Sequence, residues 1–282
     1  SAASDVYKRQ TWENILKLKK YKGGLNMLLE GKKIIIMGVR NKWSIAWGAA
    51  QSAYENGAEI IFTYGTMENK EKIEKLISEI PGAKGYACDA SNDESIKDCL
   101  ENIKKDYGNV DGILHCIAHA NTEDLRNDFI KTSRDGFAHA CDVSAYSLIA
   151  VSNIAKEKQM LNPKASIVTL TYFGAEKTIE GYNVMGVAKA ALQSSIRYLA
   201  KDLGKDDIRI NAISAGPIKT LSAKGIKDFN GILDVIEQRA PLHRNVTAKE
   251  IGDVASFLFS DMSNAITGEV IHADNGFSTV AV

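Results

Sequence analysis

The sequence lacks the features that mark membrane, secreted and nucleic-acid-binding proteins. No stretch approaches the ~18–20 apolar residues of a membrane span. The four cysteines form no CxxC pair and follow no secretory leader, which favours reduced thiols. The 35 Lys and Arg residues balance 35 Asp and Glu residues, so no net positive charge attracts nucleic acid. We therefore expect a cytoplasmic protein that neither inserts into a membrane nor binds nucleic acid.

Residue spacings typical of metal sites are also missing, so the sequence predicts no metal. The histidines concerned are His115, His119, His139, His243 and His272. The carboxylates of Asp124 and Asp128, in a polar stretch, are interpreted as solvated loop charges rather than as acids.

The first 26 residues differ in pattern from the rest of the chain. SAASDVYKRQ has no amphipathic period. The glycines Gly23 and Gly24 separate this region from the first apolar strand, and the codons around them can form a purine-rich bacterial ribosome-binding site shortly before Met27. We therefore interpret residues 1–26 as a non-native leader or disordered extension, and residues 27–282 as one native domain.

Short apolar runs alternate with helical patterns through the whole of that domain. KIIIM, bounded by Gly31 and Gly38, is typical of a strand buried on both faces. Strands that alternate with helices of 10–20 residues indicate βαβ units with right-handed crossovers. The sequence therefore predicts an α/β fold: a single-domain, doubly wound parallel sheet (Rossmann fold) of seven strands with helices on both faces.

The predicted strands and helices have the following bounds. The strands are Lys33–Met37, Glu59–Tyr64, Lys84–Cys88, Gly112–Ile117, Ser166–Thr171, Ile208–Ile213 and Glu269–His272. The helices include Glu68–Ile80, Asp93–Tyr107, Arg134–Lys158, Tyr182–Leu203, Ile232–Arg239 and Ala248–Ser260.

The first turn between strand and helix is a candidate dinucleotide site. Glycine allows close backbone approach, and a helix N-terminus supplies free N–H groups and a positive dipole end for a pyrophosphate. The usual GxGxxG is absent, since Gly38 and Gly48 are separated by a longer spacing that contains Ser44. Two alternatives stay open: Ser44 is simply a helix N-cap, and Asp89, after the third strand, caps a helix rather than accepting from an adenine amine.

The end of the second strand predicts NADH rather than NADPH. The adenosine ribose normally lies there, and the sequence after Tyr64 carries no Arg or Lys until Lys70, while Glu68 would repel a 2′-phosphate.

Tyr182 and Lys189 are the candidate catalytic pair. Seven residues make almost two helical turns, so the two side chains leave one helix face about 10 Å apart along the axis. A phenol and an ammonium on one face can act together as an acid and a positive charge. The alternative is a half-buried tyrosine beside a solvated lysine.

Several stretches together resemble one family, the bacterial NADH-dependent enoyl-acyl-carrier-protein reductases of the short-chain-dehydrogenase-like type. They are GVRNKWSIAWG, CDA (Cys88–Ala90), HCIAHA (His115–Ala120), TYFGAEKTIEGYNVMGVAKAAL, RINAISAGPIKTLSAKGI and GEVIHADNGF. The Tyr-x6-Lys spacing is the most specific mark, because ordinary short-chain dehydrogenases use Tyr-x3-Lys, and position 186 here is glycine.

The resemblance implies a role for each matching residue. Tyr182 donates a hydrogen bond to the thioester carbonyl, Lys189 holds the nicotinamide ribose, Tyr172 is a second active-site tyrosine, and Ala120 lies beside the substrate. The implied NADH-binding positions are Gly38, Ser44, Ile45, Gly65, Asp89, Ala90, Ile117, Lys189, Ile218, Lys219, Thr220, Leu221 and Ser222. The acyl slot has Met185, Ile218, Leu221, Ile226 and Phe229 as candidates, with ordinary core packing as the alternative.

The implied function is reduction of the trans-2 double bond of enoyl-acyl-carrier-protein thioesters, the last reductive step of fatty acid elongation. Acyl carrier protein is the implied partner, and a homotetramer the implied assembly. Two alternatives are a short-chain carbonyl or 3-oxoacyl thioester reductase on the same fold, and a catalytically silent NAD-binding protein.

We predict that deletion of residues 1–26 leaves turnover and thermal stability unchanged, because the native domain begins at Met27. Steady-state NADH oxidation and a melting curve of the two chains check this. A large loss of either property in the shortened chain would show that the leader belongs to the domain.

Overall fold

The computed structural model, which describes residues 27–65, 70–220 and 229–280, contains a seven-stranded parallel sheet. The strand order is β3-β2-β1-β4-β5-β6-β7, and every adjacent pair is parallel. The strands are β1 (Lys33–Met37), β2 (Glu59–Tyr64), β3 (Lys84–Ala87), β4 (Val110–His115), β5 (Leu161–Thr171), β6 (Arg209–Ala215) and β7 (Val270–Ala273). From β1, successive strands are added first toward β3 on one side and then, beginning with β4, toward β7 on the other side. This change of direction in the strand order confirms the predicted doubly wound fold.

Within the described ranges, nine α-helices connect and cover the strands. They are α1 (Ile45–Glu55), α2 (Lys70–Ile77), α3 (Asp93–Tyr107), α4 (Thr122–Arg126), α5 (Arg134–Cys141), α6 (Ser147–Glu157), α7 (Asn183–Leu203), α8 (Phe229–Arg239) and α9 (Ala248–Phe259). None of these helices is both long and apolar enough to span a bilayer.

Alternating strand residues enter two separate cores, one on each face of the sheet. On β1, Ile34 and Ile36 pack with apolar residues of α1, α2 and α9. Ile35 and Met37 point the other way and pack with apolar residues of α3, α6 and α7. KIIIM is apolar throughout because helices cover both of its faces.

The predicted helix Arg134–Lys158 is wrong as a single element. A π-helical turn, Asp142–Tyr146, separates α5 from α6. Such a turn inserts an extra residue into the helical repeat and is frequent at functional sites. A periodic apolar pattern does not reveal it, because the flanking helical turns keep their period.

The fifth strand is also longer than predicted. β5 begins at Leu161 and includes Pro163, which the sequence placed before the strand, and Lys164, whose φ is 66°. The register between β4 and β5 shifts between Val110 and Gly112 to accommodate these residues. The remaining described strands begin and end within two residues of the prediction. The predicted helix from Glu68 begins on residues outside the described ranges, and its described part ends at Ile77.

Two glycines let α1 and α9 cross with their backbones in contact. A Cβ added to Gly48 would lie 2.5 Å from the backbone of Ala248, and one added to Gly252 would lie 2.6 Å from the carbonyl oxygen of Gly48. Because backbone cannot move aside as a flexible side chain can, this crossing depends on glycine at both positions.

We predict that Gly48→Ala destabilises the fold by about 1–3 kcal/mol, the usual cost of overpacking a core. Denaturant unfolding measures the change. Gly204→Ala is the matched control, because an added methyl there meets no heavy atom of the described residues within 4 Å. Equal stability of the two variants would contradict the close crossing of α1 and α9.

Candidate active site

The C-terminal ends of β1 and β4 form the crevice where an open parallel sheet binds ligands. Gly38 directly follows β1 and has a φ of 84°. A Cβ at this position would lie 2.2 Å from the carbonyl oxygen of Cys116 and 3.4 Å from the side chain of Ile117. Glycine is therefore required at Gly38, and the structure brings the predicted residues Gly38 and Ile117 together.

The N-terminus of α1 opens onto the same crevice. The Ser44 hydroxyl caps the helix, accepting from the Trp47 N–H at 3.2 Å and donating to the Asn41 carbonyl at 2.7 Å. The N-cap reading of Ser44 is confirmed. Its predicted contact with a cofactor, and that of Ile45 at the first helical position, stay predictions.

Tyr182 lies at the start of α7 because the backbone around it turns sharply. Gly181 and Asn183 both have positive φ angles, 75° and 37°. Tyr182 is therefore the N-cap, and the helix predicted from Tyr182 begins one residue later, at Asn183.

The rings of Tyr172 and Tyr182 contact each other edge to face, with centroids 4.9 Å apart. Two glycines leave the space for this arrangement. A Cβ on Gly174 would lie 2.5 Å from the Tyr182 ring, and a Cβ on Gly186 would lie 2.6 Å from the Gly174 carbonyl oxygen. The structure therefore brings the two predicted tyrosines together, after β5 and before α7.

The side chain of Lys189 is buried, with 5% of its surface exposed. Its Nζ donates to the Leu170 carbonyl on β5 at 2.9 Å. Burial lowers the pKa of Lys189 to about 8, and the nearby Cys116 thiol acts in the opposite direction. The alternative of a solvated lysine is wrong.

Burial also keeps the two phenols protonated. It raises the pKa of Tyr172 to about 12, with a further contribution from the Asp274 carboxylate. Burial raises the pKa of Tyr182 above its ordinary value, and Tyr172 adds to the shift. Both hydroxyls therefore remain donors at neutral pH.

A buried histidine that the sequence prediction did not single out lies beneath the site. His115 Nδ1 is 3.0 Å from Thr169 Oγ1 and its Nε2 is 2.9 Å from Ser147 Oγ. Burial and the Lys189 charge lower the pKa of His115 to about 3, so the ring is neutral. This ring links the ends of β4 and β5 to the helical turn that follows the π-helical segment.

The interpretation of Asp124 as a solvated loop charge is wrong. Its side chain is buried and accepts from the Ser133 N–H at 3.0 Å and from the Asn121 amide at 3.3 Å. Asp124 is therefore a structural anchor rather than a solvated charge. The signal in the sequence was weak, because its partner lies nine residues further along the chain.

Two further histidines meet beside the predicted substrate residue Ala120. His119 Nδ1 lies 2.7 Å from His139 Nε2. Burial, followed by the neighbouring His139, lowers the pKa of His119. Sequence reasoning missed this pair because the two residues lie on a loop and on α5. In the described part of the chain, no three metal-ligating side chains come together.

The other predicted cofactor positions lie at the C-terminal edge of the sheet, with different surroundings. Asp89 is exposed, and its Oδ1 accepts from Ser91 N and Oγ at 2.9 and 2.7 Å. Gly65 is exposed and follows β2. Ala90 follows Asp89, and Ile218, Lys219 and Thr220 follow β6. Leu221 and Ser222 lie outside the described residues.

Of the residues predicted for the acyl slot, some lie in the described part of the chain and others do not. Met185 is buried in a small cluster with Leu125 and Ala188, and its sulfur accepts from the Ser144 hydroxyl at 3.6 Å. Ala120 and Tyr182 pack against that cluster. Leu221 and Ile226 lie outside the described residues.

The arrangement as a whole places a protonated phenol and a buried ammonium group next to a nucleotide-type crevice. Such a site can hold a ligand with hydroxyl groups on the lysine. It can also stabilise negative charge that develops on an oxygen near the phenol. These are the parts that a hydride-transfer site requires from the protein.

Comparison with known proteins identifies the family. A family model described as "Enoyl-(Acyl carrier protein) reductase" matches residues 38–278. The NADH enoyl-[acyl-carrier-protein] reductase of Bacillus subtilis (strain 168) is 52% identical over 91% of this chain and 100% of its own length. The enzyme of Staphylococcus aureus (strain MRSA252), named for NADPH, is 50% identical over 89% of this chain and 98% of its own.

A solved structure gives the same result. The Bacillus cereus enoyl-acyl carrier protein reductase, crystallised with NADP+ and indole naphthyridinone, has a TM-score of 0.88 and 49% identity, covering 90% of this chain and 99% of that one. The chain therefore belongs to the enoyl-(acyl carrier protein) reductase family.

Proposed function

We propose that this protein reduces the trans-2 double bond of enoyl-acyl-carrier-protein thioesters with NADH, the last reductive step of fatty acid elongation. The observation that carries the proposal is the site itself: Tyr182, in contact with Tyr172, precedes the helix whose lysine, Lys189, is buried at the end of β5. A member of this family with that pair has the groups that the reaction requires.

The residues at the crevice fit a nicotinamide dinucleotide. Gly38 lets the turn after β1 lie directly against the Cys116 carbonyl, where any side chain would collide, so the turn stays close to the end of β4. The N-terminus of α1 offers N–H groups to a pyrophosphate. Lys189 has one described carbonyl partner and three N–H donors, so ribose hydroxyls can share the ammonium group.

Each side chain then has a defined task. Bound NADH would supply a hydride to the β-carbon of the enoyl thioester and become NAD+, and a proton added to the α-carbon would complete the reduction. Negative charge develops on the thioester oxygen, and Tyr182 donates a hydrogen bond to it. The Lys189 ammonium makes the surrounding field positive, and the neutral His115 adds no competing charge. One well-aimed donor to such an oxyanion contributes about 3–4 kcal/mol to transition-state stabilisation.

The preference for NADH rests on the end of β2. The described residues there, Tyr64 and Gly65, carry no positive charge for a 2′-phosphate, and Lys70 is 3.7 Å from Glu74 in an ion pair. The relatives include enzymes named for NADH and for NADPH. Comparison of kcat/KM for the two cofactors decides, and a higher value for NADPH would overturn this part of the proposal.

The assembly and the location of the protein are also part of the proposal. Exposed apolar side chains on and beside α5, α6 and α7 support a homotetramer, which light scattering tests; they are Phe137, Tyr146, Ile149, Val187 and Tyr198. Four unpaired cysteines support a cytoplasmic location, which cell fractionation tests.

Acyl carrier protein is acidic, and the exposed Lys219, which follows β6, supports its docking near the site. The other lysines predicted for this role, Lys224 and Lys227, lie outside the described residues. Lys219→Glu should raise KM for the carrier-protein substrate by a larger factor than KM for crotonyl-CoA, because Lys219 is also a predicted cofactor position and that role affects both substrates. A change by the same factor with both substrates would remove Lys219 from the docking surface.

The function is tested by NADH absorbance with crotonyl-CoA and with crotonyl-acyl-carrier protein, each beside the matching acetoacetyl thioester. We expect NADH oxidation with the crotonyl substrates. Oxidation with acetoacetyl thioester alone would indicate a carbonyl reductase. NADH binding without turnover of any thioester would indicate a silent nucleotide-binding protein.

Two substitutions should separate chemistry from cofactor binding. Tyr182→Phe should lower kcat about 10²–10³-fold, the usual effect of removing one oxyanion donor, with little change in NADH affinity. Lys189→Ala should weaken NADH binding about tenfold or more, since the ribose contacts disappear. Steady-state assays of NADH oxidation measure kcat, and fluorescence titration measures the affinity for NADH. Tyr107→Phe, at the end of α3, is the matched control, and normal turnover by Tyr182→Phe would contradict the assignment.

The pH dependence of the free enzyme should report Lys189. Its ammonium form is complete below a pKa of about 8 and is lost as the pH rises through that value. We therefore expect kcat/KM to fall about tenfold per pH unit on the alkaline side. Melting curves over the same range confirm that the protein stays folded. A constant kcat/KM up to pH 10 would show that the charge on Lys189 is not required.

A further inference from the structure

Asn183, the residue after Tyr182, has a backbone conformation that few side chains adopt. Its φ is 37°, in the left-handed region where asparagine is among the best-tolerated residues other than glycine. A conformation of this kind persists when the surrounding structure holds it, and it is frequent at functional sites. Hydrogen bonds made by the Asn183 side chain stabilise this backbone conformation.

The Asn183 amide donates both of its hydrogens to the end of α4. Nδ2 lies 3.0 Å from the Leu125 carbonyl oxygen and 2.6 Å from the Asn127 carbonyl oxygen. Carbonyls at a helix C-terminus have no partner within the helix. Both acceptors are oxygens, so the contact requires an NH₂ group and excludes a carboxylate.

The α4 segment, residues 120–127, connects this contact to the site. Leu125 is buried against Val184 and Met185 of α7, the cluster on which Ala120 and Tyr182 also pack. Asp124 fastens the middle of the segment to Ser133 before α5. A surface cavity of about 540 Å³ is lined by residues of this segment, among them Ala120, Asn121 and Asn127.

We propose that Asn183 is a positioning residue for the enoyl substrate. It fastens the α4 segment to the first turn of α7, so that the wall of the cavity is fixed relative to the Tyr182 phenol. The left-handed backbone at Asn183 turns the amide toward α4, and the amide in turn stabilises that backbone. This inference rests on the proposed function for its effect on KM, while the fastening itself is a property of the fold.

Two variants separate the amide from the backbone. Asn183→Asp keeps the size and tolerates the backbone angle, but replaces the donor with an acceptor. Asn183→Gly removes the backbone strain together with the amide. Asn102→Asp, on the exposed face of α3, is the matched control for the change of charge.

Steady-state kinetics with crotonyl-CoA, NADH titration and amide hydrogen exchange of residues 120–127 provide the measurements. We expect both Asn183 variants to raise KM for crotonyl-CoA about tenfold, as the loss of these hydrogen bonds implies. We expect kcat to change less than about threefold, NADH affinity to stay at the wild-type value, and exchange in the α4 segment to become faster. The control should match wild type throughout.

Other outcomes would overturn the proposal. A wild-type KM in Asn183→Gly would assign the residue a backbone role alone. A joint fall of kcat and NADH affinity would indicate general damage to the fold. If the wild-type protein does not reduce crotonyl-CoA, the proposed function fails, and the exchange rates still decide whether Asn183 fastens the α4 segment: unchanged rates in both variants would refute it.

Discussion

A lysine ammonium that is 5% exposed lies between β5 and the residues that follow β4, with its nitrogen 2.9 Å from the Leu170 carbonyl oxygen. Removing a charge from water is costly unless polar groups replace the water. Within the described residues, the Leu170 carbonyl oxygen is the hydrogen-bond acceptor for the Lys189 ammonium group. The remaining N–H donors therefore suit a side chain positioned for a polar ligand. Burial of His115 first, and the Lys189 charge second, lower the pKa of His115 and keep this ring neutral.

The phenol side of the site depends on shape rather than on charge. Tyr182 fits against Tyr172 because Gly174 places no side chain between the two rings, and Gly186 lets α7 lie against the Gly174 carbonyl. The positive φ angles on both sides of Tyr182 then set where the ring leaves the backbone. Because packed backbone and ring edges have little freedom to shift, the tyrosine hydroxyl is held by the fold before any ligand arrives. Preorganisation of this kind makes a single donor effective.

The sheet could be predicted from the sequence, and Tyr182 and Lys189 could be proposed as a pair from it, because both inferences depend on local spacing. Apolar runs such as KIIIM reveal strands covered on both faces, and the interval from Tyr182 to Lys189 reveals a shared helix face. The early start of β5 could not be predicted, since Lys164 adopts its left-handed angle within an irregular β4–β5 register. The π-helical turn could not be predicted either, because the helical turns on both sides of it keep their apolar period. Asp124 was misread because its partner, Ser133, is identified by packing and not by a pattern of residue types.

The most direct test of the account is the structure of this protein bound to NAD+ and a non-reducible enoyl thioester analogue. We predict that the Tyr182 hydroxyl lies about 2.6–3.2 Å from the thioester oxygen, within hydrogen-bond reach. We also predict that Nζ of Lys189 contacts the hydroxyls of the nicotinamide ribose. A Tyr182 hydroxyl directed away from the thioester, with Lys189 still bound to Leu170 alone, would contradict the account and leave a nucleotide-binding fold without an assigned chemistry.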